Sequence, residues 1–283
     1  MNLQKIALNI GLEKPLTLLH LSDTHIILAD ERDDERKRKL AESRVRAFGI
    51  PQDEVIRNLD AALDYAKTNC DLAVHTGDLI DFVSHPNLDI LKEKLSRTDT
   101  FFAVGNHEFS LYVGEAKEDT AYKMQSFDRV RAASPNDPDF ASRVINGVNL
   151  VAVDNSYYLF TENHLERLKK ELQKELPVIL LMHNPIHTEA LYDYMMNVRK
   201  SPCAYLVGTP EELLSCYPAD RQEQQRPDKP TLDFIDYIKH QSLIKAVFAG
   251  HLHFFYQDRI IDSLPQFVAG GGFNNEATEY RIS

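Results

Sequence analysis

Five short runs of carboxylate, imidazole and amide side chains punctuate this 283-residue chain, each just after an apolar, strand-like stretch. They are Asp23-Thr24-His25, Gly77-Asp78, Gly105-Asn106-His107-Glu108, His183-Asn184 and Gly250-His251-Leu252-His253. Carboxylate oxygen, imidazole nitrogen and one amide oxygen make a mixed donor set suited to divalent or trivalent first-row metal ions. Singly each run is ordinary, since Gly-Asp is common turn chemistry. The ordered set carries the information.

Such residues can meet only if the fold gathers them. Short apolar runs alternate here with longer amphipathic stretches, the pattern of an α/β protein. Strands are predicted at 17–21, 72–75, 101–104, 150–153, 178–182 and 244–249. In open α/β sheets, ligands collect at the carboxyl ends of strands, so the five runs are expected along one edge. Asp23 and His25 lie two apart, as do His251 and His253, a spacing that puts both side chains on one side of a residual strand. Pro51 opens a helical pattern carried by Val55, Leu59, Leu63 and Ala66, and Thr161 N-caps another before Pro177. Residues 253–261 and 266–269 read as strands with no helix between them, which predicts antiparallel additions at a sheet edge.

Two regions depart from this rhythm. Residues 30–46 alternate in charge and read as a solvated helix face without chemistry. Residues 184–230 form a long mixed segment with a short helix, expected to have Thr209 as N-cap, Pro210 in the first turn and Glu212 closing a capping box. The chain shows no repeat and no clear linker, so the expected organisation is one domain, 1–283, with a lid-like insertion at about 184–230.

Composition narrows the function classes. Net charge is -11, so no global basic field exists to collect nucleic acid or anionic membrane. The first 21 residues mix Gln4, Lys5, Asn9, Glu13 and Lys14 among apolar ones, which reads as neither signal peptide nor membrane anchor. Cys70, Cys203 and Cys216 are irregularly spaced and read as free thiols in a reducing cytoplasm.

Taken together, the five runs resemble the calcineurin-like metallophosphoesterase superfamily, whose motifs run D-x-H, GD, GNH-D/E, H and GHxH in this order. Residues 267–272, Phe-Val-Ala-Gly-Gly-Gly, are similar to its C-terminal end. The resemblance implies a four-layer α/β/β/α sandwich of two mixed β-sheets flanked by helices. It implies a dinuclear site: Asp23, His25, Asp78 and His253 on one metal, and Asp78, Asn106, His183 and His251 on the other. Asp78 would bridge them, and a water between two such metals would become the hydroxide that attacks phosphorus. Manganese, iron, zinc, nickel or cobalt, divalent or as a mixed-valence pair, all suit these ligands. His107 resembles the family's catalytic histidine, which protonates the leaving group. Asp81 matches the GDxxD form of the motif and would orient His107; a surface residue after the turn is the other reading. Glu108 is expected to serve local structure, and His20 and His75 read as packed core histidines. His187, in the loop past His183, is a candidate for substrate contact. Tyr192, Tyr194, Tyr205 and Tyr217 either line a pocket or anchor the insertion.

The expected reaction is metal-dependent hydrolysis of a small-molecule or nucleotide-type phosphoester. Phosphoprotein phosphatases of this superfamily carry arginines beside the GD and GNH motifs. Here Phe82 follows Asp81 and Val104 precedes Gly105, so those arginines are missing. That argues against a protein phosphatase and favours a less charged diester or a small molecule, unless Arg199 or Arg221 of the insertion supplies the charge. A nuclease and a non-catalytic scaffold on the same fold are the alternatives; the acidic balance counts against the first and the complete ligand set against the second.

Overall fold

The computed structural model describes residues 1–114 and 119–283. Its strands are β1 (Asn2–Leu8), β2 (Leu16–Leu21), β3 (Leu72–His75), β4 (Thr100–Phe102), β5 (Phe140–Ile145), β6 (Val148–Val153), β7 (Val178–Leu181), β8 (Ile244–Ala249), β9 (Tyr256–Ile261), β10 (Leu264–Val268) and β11 (Glu276–Ile282). They form two mixed sheets, ordered β1-β11-β2-β3-β4 and β5-β6-β7-β8-β10-β9.

Alternation along the strands makes the layers. Leu16 and Leu18 of β2 and Val74 of β3 meet Leu150, Ile179, Ala246 and Phe248 of the second sheet in a core between the sheets. Leu19, Leu21 and Ala73 turn outward onto helix Gln52–Asn69, where Val55, Leu59 and Leu63 are buried. On the far side, Val151, Leu180 and Val247 pack against helices Glu162–Leu172 and Lys229–Lys239. This is the expected α/β/β/α sandwich.

The local reading needs four corrections. β9 is an antiparallel edge strand as expected, but β10 pairs in parallel with β8. The short helix in the insertion is Glu211–Leu214 with Pro210 as its N-cap, and the Thr209 hydroxyl turns back to the Leu206 carbonyl at 3.3 Å. β1, β5 and β11 lie outside the predicted strands, because each carries half-exposed or charged positions rather than an apolar run. The charged helix forms as Glu35–Phe48, N-capped by Asp34, yet its Arg44 reaches the site. No helix among the described residues is long and apolar enough to cross a membrane.

Candidate metal centre

The loops leaving β2 and β3 run side by side. His25 and Ile26 donate backbone N–H bonds to Asp78 and Leu79, both at 2.9 Å, and Asp81 donates back to Ile26 at 3.0 Å. Five of the candidate ligands have positive φ: Asp23, His25, Asp78, His251 and His253. The two-residue spacings therefore do not reflect a residual strand. Left-handed turns aim these side chains, a conformation costly for residues other than glycine and one that surrounding contacts must hold in place.

At Asp78, Glu108 supplies that hold. Its buried carboxylate accepts N–H bonds from Asp78 (2.8 Å), Leu79 (2.8 Å), Ile80 (3.3 Å) and Gly105 (2.7 Å). It thus ties the GD turn to the GNH turn. Burial, with the Asp78 charge beside it, pushes the Glu108 carboxyl up to about 7, although the Gly105 and Asp78 amides oppose the rise. Gly77 lies at φ +97, and a Cβ there would run into the Gly105 backbone and the His183 ring. Only glycine permits that approach.

Each central imidazole is held by one nitrogen and presents the other inward. His25 Nδ1 lies 3.0 Å from Asp81 Oδ1, His183 Nδ1 2.6 Å from the Thr76 carbonyl, and His251 Nε2 2.8 Å from the Tyr158 hydroxyl. The Asp81 and Thr76 acceptors require N–H at those atoms, so the Nε2 atoms of His25 and His183 carry lone pairs into the centre. There His25 Nε2 faces His253 Nε2 at 3.0 Å, and His183 Nε2 faces His251 Nδ1 and Asp78 Oδ2, both at 3.1 Å. Asp23 closes the far side, its Oδ1 3.4 Å from His253 Nε2 and its carboxylate accepting the His251 N–H at 2.9 Å. Asn106 Oδ1 is buried with no hydrogen-bond partner.

Lone pairs and carboxylates converging in this way need positive charge between them. In the metal-free chain a proton takes that role. Burial opposes charge on His183, but the Asp78 carboxylate outweighs it and lifts the imidazole to about 9. Burial also opposes charge on Asp78, yet His183 and His107 hold its carboxyl well below the usual range. His251, buried and beside His183, is pushed well below an ordinary histidine. The donor set, the orphaned Asn106 oxygen and the inward lone pairs all fit metal ions. Two groups, Asp23/His25/His253 and Asp78/His183/His251, have ligand atoms within 4.8 Å of one another; a third joins His25, Asp78 and His107.

His107 is set apart from the others. Its N–H donates to Asp78 Oδ1 at 2.9 Å, and its Nδ1 lies 2.6 Å from the Asp81 carbonyl oxygen and 3.3 Å from the Asp81 carboxylate. Burial lowers its proton affinity, but Asp78 and Asp81 outweigh burial and raise it. Asp81 is no surface residue. It is fully buried and gripped by Arg44 in a two-point pair, Nε–Oδ2 2.7 Å and Nη2–Oδ1 2.8 Å. Burial would raise its carboxyl, and the Arg44 and His25 hydrogen bonds bring it far down instead.

Sequence reasoning missed Arg44, Tyr158 and Asn155. The Asn155 amide oxygen accepts the His183 and Asn184 N–H groups, both at 3.0 Å. The Asp154-Asn155 pair directly after β6 repeats the polar-after-strand signal of the five runs and could have marked it. Arg44 had no local signal, because only the fold turns one residue of a charged helix inward. His20 and His75 are core residues as expected: His20 stacks on Phe248 at 5.0 Å and bonds the Thr76 hydroxyl at 2.8 Å. His187 packs against Tyr192 and is not among the residues lining the central cavity. Of the four tyrosines, Tyr205 lines that cavity, while Tyr217 is buried among insertion residues.

A sequence model of the calcineurin-like phosphoesterase family matches residues 16–255. The chain belongs to that family, which places it among metal-dependent phosphoester hydrolases that use a dinuclear centre. Curated protein sequences give no match. Among solved structures, a purple acid phosphatase from yellow lupin (Lupinus luteus) superposes with a TM-score of 0.54 at 13% identity, covering 93% of this chain and 45% of its own. A dimetal phosphatase from Danio rerio gives 0.48 at 13% identity, with 91% and 88% covered. A 5′-nucleotidase from Candida albicans gives 0.41 at 14% identity, with 91% and 46% covered. At such identities the likeness is one of fold. The chain spans about half the length of the lupin and Candida proteins.

Proposed function

We propose that this protein hydrolyses a small-molecule phosphoester. Asp23, His25, Asp78 and His253 would hold one metal ion and Asp78, Asn106, His183 and His251 the other. The observation that carries this is the set of histidines locked from behind, with the Asp78 carboxylate 3.1 Å from His183 Nε2 and 3.8 Å from His25 Nε2. Metal ions bound there would supply Lewis acidity, polarising phosphoryl oxygens and making a water molecule acidic.

The chain's own residues do the rest. Asp78 sits where both ligand groups meet, and its charge is held by His183 and the His107 amide. His107 commits Nδ1 to the Asp81 carbonyl, which leaves Nε2 to bring a proton to the leaving oxygen. Asp81 fixes the His25 tautomer and stands beside His107, so it positions both; Arg44 positions Asp81. The 184–230 segment acts as a lid, and its Met195, Arg199 and Tyr205 line the same cavity as Asp78 and His107. That cavity is about 350 Å³, the size of a small-ligand site and not of a nucleic-acid groove.

The test is turnover of an aryl phosphomonoester and an aryl phosphodiester by manganese-loaded protein. Hydrolysis of either, abolished by chelation and restored by manganese, is the expected result. Inactivity on both in protein carrying two metals per chain would instead support the scaffold alternative.

A further inference from the structure

The cavity has two unlike walls. Asp78, His107, His251 and His253 form the first; Met195, Arg199 and Tyr205, joined by Phe254, form most of the second. Arg199 is the one lining residue with a permanent positive charge. It follows the π-helical turn Tyr194–Val198 and donates its backbone N–H to the Tyr194 carbonyl at 2.8 Å. Such turns are rare and occur frequently at functional sites, because the extra residue re-aims whatever follows.

Arg199 is exposed, but two features tie it to the cavity. Its guanidinium lies 4.6 Å over the Phe254 ring, immediately after the ligand candidate His253, so the charge is held at the cavity by a contact that leaves its N–H donors unspent. No carboxylate pairs with it among the described residues, in a chain with 43 acidic residues against 32 basic ones. An unneutralised guanidinium facing a cavity built for phosphoesters has an evident counterpart, since its planar fork matches phosphoryl oxygens. Besides Arg199 and Ser201, this wall is apolar or aromatic: Met195, Tyr205, Leu252 and Phe254. Phe254 is backed in turn by Tyr194 at 5.4 Å.

We propose that Arg199 is a specificity-determining residue that takes non-bridging oxygens of the reacting phosphoryl group and selects phosphomonoesters over phosphodiesters, with a compact apolar or aromatic leaving group lying against Phe254 and Tyr205. The inference rests on the hydrolytic reading of this cavity. A monoester near neutral pH carries nearly two negative charges over three non-bridging oxygens, a diester one charge over two. The monoester therefore has charge and an oxygen to spare for a guanidinium. The arginines missing beside the GD and GNH motifs are thus replaced from the insertion.

The test compares wild type, R199A and R199K, all manganese-loaded, on p-nitrophenyl phosphate and bis-p-nitrophenyl phosphate, with calorimetric binding of inorganic phosphate alongside. R199A should weaken phosphate binding and lower kcat/KM for the monoester by at least about tenfold, the scale of one charge-assisted hydrogen-bonded contact. The diester should change by less than about threefold, since it offers little for the fork to grip. R199K should recover part of the loss, keeping charge without the fork. Arg199 is exposed, so the variants should fold, which thermal melting checks. Equal losses on both esters, or phosphate binding unchanged in R199A, would overturn the assignment. So would a loss seen with a nucleoside diphosphate and absent with p-nitrophenyl phosphate, which would move Arg199 to a remote anion. A wild type inactive on both esters with two metals bound refutes the hydrolytic reading instead, and phosphate binding still decides the role of Arg199.

Discussion

One wall of the cavity is made by Asp78, His107, His251 and His253, the other by Met195, Arg199, Ser201 and Tyr205 with Leu252 and Phe254. The first is held from every direction. Its ligand candidates Asp78, His251 and His253 occupy left-handed turns, Glu108 ties the Asp78 turn to Gly105, and Asp81, Thr76 and Tyr158 fix the imidazoles of His25, His183 and His251 from behind. The second carries one arginine on an aromatic ring amid apolar neighbours. On the proposed reading the difference separates two tasks. Chemistry that recurs across a family demands donors held to a fraction of an ångström, and a rigid scaffold supplies that. Discrimination among substrates needs only a shaped surface with one or two well-placed charges, which a loop can supply and vary.

Variants of the two walls should therefore fail differently. The largest effect is expected from Asp78→Ala. Removing the carboxylate proposed to bridge the two metals should cost metal occupancy and all measurable turnover, read by elemental analysis and ester hydrolysis. Retention of both metals would show that the groups do not depend on Asp78. Glu108→Ala comes next, and its effect is on the fold. It strands four backbone N–H donors, each costing about 1–3 kcal/mol when buried without a partner, so urea unfolding should show a loss of several kcal/mol. A loss under about 1 kcal/mol would mean that water or movement satisfies those donors readily.

Arg44→Ala is a milder and more discriminating change. It frees the buried Asp81 carboxylate and with it the orientation of His25, so manganese affinity should fall by about 10- to 100-fold, as for other residues that hold a ligand from behind. Arg199→Ala should leave manganese affinity alone. If the two arginine variants behaved alike in metal binding, the division between the walls would collapse.

The five runs were legible because metal chemistry needs particular residue types, and each type stands directly after an apolar strand where α/β folds place ligands. Glu108 was legible as a structural residue for the same reason. Arg44 was not, since a charged helix reads as solvated unless the fold is known, and a single inward arginine leaves no periodic trace. The turn geometry at Asp23, His25, His251 and His253 was also hidden. Spacing two apart suits a strand, and only the backbone shows that positive φ does the aiming. β11 was missed because its charged positions break the alternation, although its Tyr280 and Ile282 enter the core between the sheets.

Taken over one pH unit, the smallest expected effect lies beneath the first wall. Burial, reinforced by the nearby His75, holds His20 down at about 3 against an ordinary 6.5. The folded protein keeps it neutral while the unfolded chain takes up a proton below about 6.5, so the unfolded state binds more protons there. Stability contributed by neutral His20 is thus full above 6.5 and drains as pH falls towards 3, at up to about 1.4 kcal/mol per pH unit. In metal-free protein, His20→Phe should flatten this share of the acid slope in urea titrations. An unchanged slope would assign acid sensitivity to other groups.

The proposed reaction needs two metals serving one proton donor. The direct measurement is a manganese titration of metal-free wild type and His107→Ala, following bound metal and aryl phosphoester turnover together. Wild-type turnover should rise until two ions per chain are bound and then level off. The His107 variant should bind the same two ions and lose at least about 100-fold in turnover, the usual weight of a positioned general acid. Full turnover by the variant, or saturation of wild-type activity at one ion per chain, would contradict it.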